Sequence, residues 1–343
     1  MSLFGQNLKY DFERKGYPDL EIWHADSISS INVYRSVVYS PLFRKIPTLK
    51  GDLLYHVVLN DKHQKAEIIK YYPGSGDVGS RYIFDYSPDC LVKITMLKAN
   101  GKIKYSWVFK DGLLMVETSY DAKQAVADVW TYTYIRDSLI ENIIKRDQKN
   151  KVEYKLHYMY DSLYRLVESK EYKENSLTQI SKYFYDSKGR IKELWFYPRL
   201  TTVWNFREKT FVVSEIIADE KNIPYNYANY HYSDNDRLLK QTFLKNNSAL
   251  DSYVVYEYEP DGKIKEITDY NKRDSPTRKQ VYEYNDSGTE TGYKEYITSF
   301  GQINDPMYDL KIIENTQGNI KRIEIINCYK TETELYTYEY KYK

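Results

Sequence analysis

A hairpin-turn motif recurs along most of this chain and limits its fold more than any other feature. The best copy spans residues 183–191 and reads YFYDSKGRI. An Asp directly after a strand starts a turn by accepting backbone hydrogen bonds, and Gly supplies a positive φ there. Arg190 follows on the return strand, where it can pair with the turn Asp or lie over a Tyr ring. The stretch therefore predicts strand, tight turn and strand.

The turn recurs at a steady period. The anchor residues before each turn are 58, 84, 109, 134, 160, 185, 206, 232, 258, 284 and 313, most of them 25 or 26 residues apart. Each interval has room for two strands and two turns, which indicates an internal repeat. We therefore predict residues 51–343 to be one continuous β-hairpin array, with 1–50 as an irregular N-terminal cap and a single domain overall.

The array predicts an all-β fold with a long antiparallel sheet of roughly 22 strands. Laid flat at ~4.8 Å per strand, such a sheet would exceed ~100 Å, and sheets that wide usually curl or close. We expect a curved or spiral sheet, with a closed, barrel-like shell as the limiting case. Residues 336–342, YTYEYKY, alternate perfectly and predict a closing strand.

The motif Tyr-x-Tyr-Asp-x-x-Gly-Arg-Ile at 183–191 resembles the YD repeat of the rearrangement-hotspot family and of teneurin-like shells. Residues 158–166 match with Tyr164 in place of Gly, and residues 256–264 match with Glu259 and Lys263 as replacements. The resemblance implies a curled hairpin sheet that serves as a scaffold or container rather than a catalyst. The chain departs from the family in its longer period, its shorter length and its lack of a variable C-terminal toxin segment.

Charge and composition exclude several function classes. Lys and Arg total 50 against 49 Asp and Glu, so no electrostatic footprint for nucleic acid is present. No apolar run is long enough for a membrane span, and two cysteines are too few for a disulfide framework. The polar N-terminus predicts a cytoplasmic location if it is native, and an extracytoplasmic one if a signal peptide has been removed.

Two groups of candidate residues emerge. The turn residues Asp186, Gly189, Arg190, Asp261 and Gly262 are predicted to be structural. The candidate binding surface is the aromatic group around the shortest interval, between residues 185 and 206. This group consists of Trp195, Tyr197, Trp204 and Phe206. Aromatic platforms stack sugars or anchor protein partners.

The sequence predicts a non-enzymatic, tyrosine-rich bacterial scaffold or binding protein that acts through a broad aromatic sheet face. It contains 39 tyrosines, and the five histidines have no metal-ligand spacing, so no cofactor and no metal are expected. The expected partner is a protein, with carbohydrate as the second choice. Two alternatives remain: an immunity protein that masks a toxin or another polypeptide, and a carbohydrate-active hydrolase with a carboxylate pair such as Glu257 and Asp261.

Overall fold

The computed structural model describes residues 28–39, 51–88, 90–136, 138–198, 203–205, 210–212, 226–245, 248–297, 308–314, 320–327 and 332–342. These residues form strands and turns and contain no helix. The strands are β1 Ile28–Tyr39, β2 Asp52–Leu59, β3 Lys65–Tyr71, β4 Val78–Tyr86, β5 Leu91–Lys98, β6 Ile103–Lys110, β7 Leu113–Tyr120, β8 Val126–Ile135, β9 Leu139–Asp147, β10 Val152–Tyr160, β11 Leu166–Lys173, β12 Ser176–Tyr185, β13 Ile191–Pro198, β14 Val203–Asn205, β15 Thr210–Val212, β16 Asn226–Tyr232, β17 Leu238–Lys245, β18 Leu250–Tyr258, β19 Ile264–Asn271, β20 Pro276–Tyr284, β21 Glu290–Ile297, β22 Tyr308–Glu314, β23 Ile320–Asn327 and β24 Glu332–Tyr342.

The sheet closes on itself. Neighbouring strands pair antiparallel in chain order, and β13 pairs with β16. β1 pairs with β2 on one side and with β24 on the other. The result is a closed 22-stranded antiparallel sheet, while β14 and β15 pair only with each other. The predicted all-β hairpin array and its barrel-like closure are confirmed, and the strand predicted at 336–342 lies in β24. The predicted division at residue 50 stays a prediction, although β1 belongs to the sheet.

The two faces of the sheet differ in burial. Val57, Ile68 and Tyr82 are cross-strand neighbours and are fully buried. Val108, Met159 and Phe184 lie on the other face and are exposed by 41%, 42% and 37%. Side chains converge on the concave side of a closed sheet and diverge on the convex side. The face of Val57 and Tyr82 is therefore the inward face, and that of Val108 is the outward face.

The turn at 186–189 shows how the repeat motif works. The Asp186 N–H donates to the Arg190 carbonyl at 2.9 Å, and the Gly189 N–H donates to the Asp186 carbonyl at 3.0 Å. One Asp186 carboxylate oxygen accepts backbone N–H bonds from Lys188 and Arg190, both at 2.9 Å. The other accepts from Arg190 Nε at 2.7 Å. These bonds, chiefly that from the Arg190 N–H, hold the pKa of Asp186 below its usual range.

Gly189 and Gly262 adopt φ values of +79° and +98°. The ladder shifts by one residue between Phe184 and Tyr185, which marks the β-bulge that accompanies such a turn. Asp261 repeats the pattern less completely: its carboxylate accepts from the Lys263 N–H at 3.1 Å and from Lys263 Nζ at 2.6 Å. Turn chemistry thus sets the register of each hairpin.

Successive repeats are coupled through Tyr and Arg. The Arg190 guanidinium lies 4.5 Å from the ring centroid of Tyr232 in the next repeat. The Tyr232 hydroxyl donates to the carbonyl of Ile191, the residue after that Arg, at 2.9 Å. The same hydroxyl-to-carbonyl bond recurs for Tyr86, Tyr134, Tyr160, Tyr185, Tyr258 and Tyr284. This bond explains why the motif carries Tyr rather than Phe at this position.

Candidate ligand-binding cavity on the inward face

A cavity of about 440 Å³ opens on the inward face across β9 to β13. Aromatic rings form most of its wall, and four polar side chains form its floor. The rings belong to Tyr154, Tyr158, Tyr160, Tyr164, Tyr183, Tyr185 and Phe196. We call this space the tyrosine cavity. It lies beside the best copy of the repeat motif.

The polar floor comes from two neighbouring strands, β11 and β12. Ser169 pairs with Ser181 across the ladder, and Glu171 pairs with Gln179. All four line the cavity. Gln179 Nε2 donates to the Ser181 hydroxyl at 3.2 Å. The floor therefore offers hydroxyl, amide and carboxylate groups in one patch, with rings on both sides.

The tyrosine wall is built on an apolar cluster. Ile140, Tyr158 and Leu166 are each less than 10% exposed and pack together, with Tyr160 and Tyr183 against them. Burial raises the pKa of Tyr158 and raises that of Tyr160 to about 12. The Tyr160 hydroxyl donates to the Ile140 carbonyl at 2.7 Å. Tyr158 and Tyr160 are thus neutral across the physiological range, and the Tyr160 ring is held in place by its hydroxyl.

Tyr164 lies at the edge of the cavity in a conformation that favours glycine. Its φ is +60°, at the turn position that Gly189 occupies in the next repeat. A bulky residue with positive φ is uncommon and marks a turn or strain. Its ring lies 3.6 Å from the Arg136 guanidinium carbon and is 39% exposed. The departure from the repeat motif therefore provides an aromatic ring at the cavity.

The structure describes only part of the aromatic surface that the sequence predicted. Trp195 and Tyr197 lie on the outward face, where Trp195 Nε1 donates to Glu193 at 3.0 Å and its ring contacts Phe184 at 4.5 Å. Tyr197 is 7% exposed. Trp204 lies in β14, and Phe206 lies outside the described residues. The role of these four residues stays a prediction.

Phe196, between the two predicted residues, lines the tyrosine cavity. Sequence reasoning missed it because successive strand residues alternate between faces and the sequence does not say which face is inside. The available signal was the adjacent motif copy at 158–166, where Tyr164 replaces Gly.

Carboxylates also meet on the inward face at β19 to β21. Arg278 Nη2 lies 2.8 Å from Glu295 Oε2, and its Nη1 lies 3.9 Å from Asp269 Oδ2. Gln280 Nε2 donates to Glu295 at 3.0 Å. Burial raises the pKa of Asp269 above its usual range, an effect that Arg278 opposes. The guanidinium between the two carboxylates makes this group an ion-pair network of the sheet.

Within the described ranges, no group of three or more His, Cys, Asp or Glu side chains is arranged to hold a metal ion. No helix among the described residues is long and apolar enough to cross a membrane.

Comparison with known proteins gives structural similarities of low score. No known protein family and no curated protein matches the chain. A porin-like protein from Bacteroides uniformis is 9% identical, with 92% of this chain and 98% of that chain covered and a TM-score of 0.31. A second, from Bacteroides vulgatus, is 12% identical at the same coverage, with a TM-score of 0.25. The matched chain in the crystal structure of TcdB2-TccC3 has 11% sequence identity. The match covers 86% of this chain and 19% of that chain, with a TM-score of 0.29. At these scores the matches establish neither a family nor a function.

Proposed function

We propose that this chain is a divergent YD-repeat-like protein that works as a non-enzymatic binding scaffold, with the tyrosine cavity as its ligand contact. One observation carries the proposal: aromatic walls and a polar floor meet in a cavity of about 440 Å³ at the motif copy in which Tyr164 replaces Gly. Binding sites are commonly concave and largely apolar, with a few placed polar groups.

The occupant we propose is a segment of a polypeptide partner. Tyrosine with Ser and Gln is a composition that suits protein recognition, because Tyr gives large rigid contact area at low entropic cost. Hot-spot residues at protein interfaces are enriched in aromatic side chains. Such a segment could belong to a toxin that this chain masks, as an immunity protein does.

A saccharide is the second candidate occupant. Rings from β10, β12 and β13 flank the serine hydroxyls, Glu171 and Gln179. Sugars stack on aromatic faces and hydrogen-bond through their hydroxyls, so the same cavity suits them. A saccharide and a polypeptide are distinguished by the chemical identity of the molecule that crosslinks to the cavity in the following experiment.

Adjacent residues on opposite faces provide a matched test. A photoreactive benzoylphenylalanine replaces either Phe196, in the cavity, or Trp195, on the outward face, in otherwise intact protein. We expect irradiation in an extract of the native host to give a protein adduct from position 196 that excess unmodified protein suppresses. Mass spectrometry of the adduct distinguishes a polypeptide from a glycan. Equal or stronger adducts from position 195 would contradict the proposal.

A further inference from the structure

A second cavity, of about 480 Å³, opens on the inward face across β3 to β6. Three lysines, Lys70, Lys98 and Lys104, line it. Lys70 is paired across the ladder with Ser80, and Ser80 with Lys98, so the first two lysines flank one serine. We call this space the lysine cavity. It shares no lining residue with the tyrosine cavity.

The lysines are half-buried, whereas lysine is mostly exposed in proteins. None of the three forms an ion pair with an acidic side chain in the part of the chain that the structure describes. Lys70 Nζ lies 5.9 Å from the Tyr55 ring centroid, and Lys104 Nζ lies 5.3 Å from that of Tyr105. Rings compensate a positive charge only weakly compared with an anion. Among the described residues, the cavity thus concentrates positive charge that no carboxylate pairs with.

Neutral donors lie among the lysines. Ser80 is 4% exposed and its hydroxyl is hydrogen-bonded to that of the buried Tyr82. Asn100 and the 57% exposed Tyr72 complete the opening. Ammonium groups with hydroxyl donors are the groups that bind oxyanions. The volume leaves room for a small organic group beside the oxyanion, and Tyr72 offers it a ring.

We propose that the lysine cavity binds a phosphate or sulfate monoester of a small, sugar-sized molecule. The ester oxygens contact Lys70, Lys98 and Ser80, and the organic group lies against Tyr72. Lysine acts as a point charge toward either oxyanion, so the phosphate and sulfate esters share this chemistry.

Isothermal titration calorimetry tests the proposal with glucose 6-phosphate, glucose 6-sulfate and unmodified glucose on the intact protein. We expect at least one ester to bind, its affinity to fall as salt rises, and glucose not to bind. Lys70→Gln and Lys98→Gln should each weaken ester binding about tenfold or more, because each removes a charge-assisted hydrogen bond. The ester with the higher affinity identifies which oxyanion the site prefers.

Lys93→Gln is the control, because Lys93 is exposed on the outward face of the same strand as Lys98 and its loss changes the net charge equally. The Lys93→Gln variant should bind the ester with the same affinity as the unmodified protein. Lys98→Arg, which keeps the charge, should retain binding, and unchanged circular dichroism verifies the fold of each variant. Binding of neither ester, unaltered affinity in Lys70→Gln and Lys98→Gln, or an equal loss in Lys93→Gln would overturn the proposal.

Discussion

The Tyr185 hydroxyl, at the end of β12, donates a 2.7 Å hydrogen bond to the backbone carbonyl of Leu166 in the neighbouring strand β11. The same ring lies beneath the Arg165 guanidinium at 4.5 Å. Tyr185 therefore attaches its hairpin to the preceding one by two contacts. Because this pair of contacts recurs for Arg190 with Tyr232 and Arg237 with Tyr258, it links the hairpins into one sheet.

Replacing Tyr185 by Phe should lower the free energy of unfolding by about 1 kcal/mol, because it removes one partly buried hydrogen bond. Denaturant unfolding monitored by circular dichroism measures the change. Tyr172→Phe is the control, since Tyr172 lies on the outward face and its hydroxyl makes no hydrogen bond to a described residue. Equal effects of the two substitutions would argue against the coupling role.

Gly189 and Gly292 should differ in how much stability is lost when each is replaced by Ala. A Cβ on Gly189 meets no atom closer than 3.5 Å, so Gly189→Ala should cost only the strain of positive φ, about 1–2 kcal/mol. A Cβ on Gly292 would lie 2.0 Å from the Leu310 carbonyl oxygen of the paired strand, so Gly292→Ala must displace backbone. We expect Gly292→Ala to destabilise the protein more than Gly189→Ala in the same unfolding assay. The reverse order would contradict the β21–β22 pairing.

Closure of the sheet is testable through β1 and β24. Tyr34 lies directly opposite Thr337 across that ladder. Opposed Cα atoms about 4.5–5.5 Å apart permit a disulfide, so Tyr34→Cys with Thr337→Cys should oxidise spontaneously once both native cysteines are replaced by Ser. Non-reducing peptide mapping detects the bond. Tyr34→Cys with Leu335→Cys, two residues out of register, should form it far less, and equal yields would contradict the register.

The inward tyrosines predict a loss of stability at high pH. Burial raises the pKa of Tyr134, Tyr160 and Tyr230 to about 12, against an ordinary value of 10.0. Below pH 10 these groups are protonated in both folded and unfolded states. As pH rises from 10 toward 12, the unfolded state ionises first, so stability falls. Tyrosinate absorbance should rise in two phases, the later one with unfolding. A single phase near pH 10 with β-sheet dichroism intact would contradict this.

Tyr164→Gly should weaken partner capture at position 196 while changing stability by less than about 1 kcal/mol. Relief of positive-φ strain, about 1–2 kcal/mol, opposes the loss of the Arg136 contact, about 0.5–2 kcal/mol. Photo-crosslinking yield and denaturant unfolding measure the two effects. Asn150→Gly places Gly at another left-handed turn position, at φ +63°, away from the cavity, and should leave crosslinking unchanged. Undiminished crosslinking in Tyr164→Gly would remove this ring from the site.

The repeat was predictable because its signals are local. Asp186 bonds backbone groups within four residues of itself, and Gly189 supplies its positive φ alone, so both roles follow from neighbours in sequence. The pairing of Arg190 with Asp186 was likewise predictable, because the two residues belong to the same turn. That Arg190 lies over Tyr232 rather than over the Tyr of its own repeat depends on which strands become neighbours, and no local pattern specifies that.

The predicted aromatic surface, whose role stays a prediction, shares part of its stretch of chain with the tyrosine cavity, but Trp195 and Tyr197 lie on the opposite face. The shortest repeat interval predicted a binding site between residues 185 and 206. Tyr185 and Phe196 of that interval line the tyrosine cavity. Trp195 and Phe196 differ by one position, yet they lie on opposite sides of the sheet. Alternation is visible in sequence, whereas the choice of inside is made by the direction in which the whole sheet curves.

By itself, the sequence determined that this chain forms antiparallel hairpins at a period near 26 residues, since turn residues and alternating strands act over a few positions. Only the tertiary structure decided that β1 meets β24 and that the Tyr face turns inward. Both depend on twist and curvature summed over 22 strands, to which each residue contributes little. Each cavity is built by side chains that consecutive strands present on the inward face, and the curvature of the sheet decides which face that is.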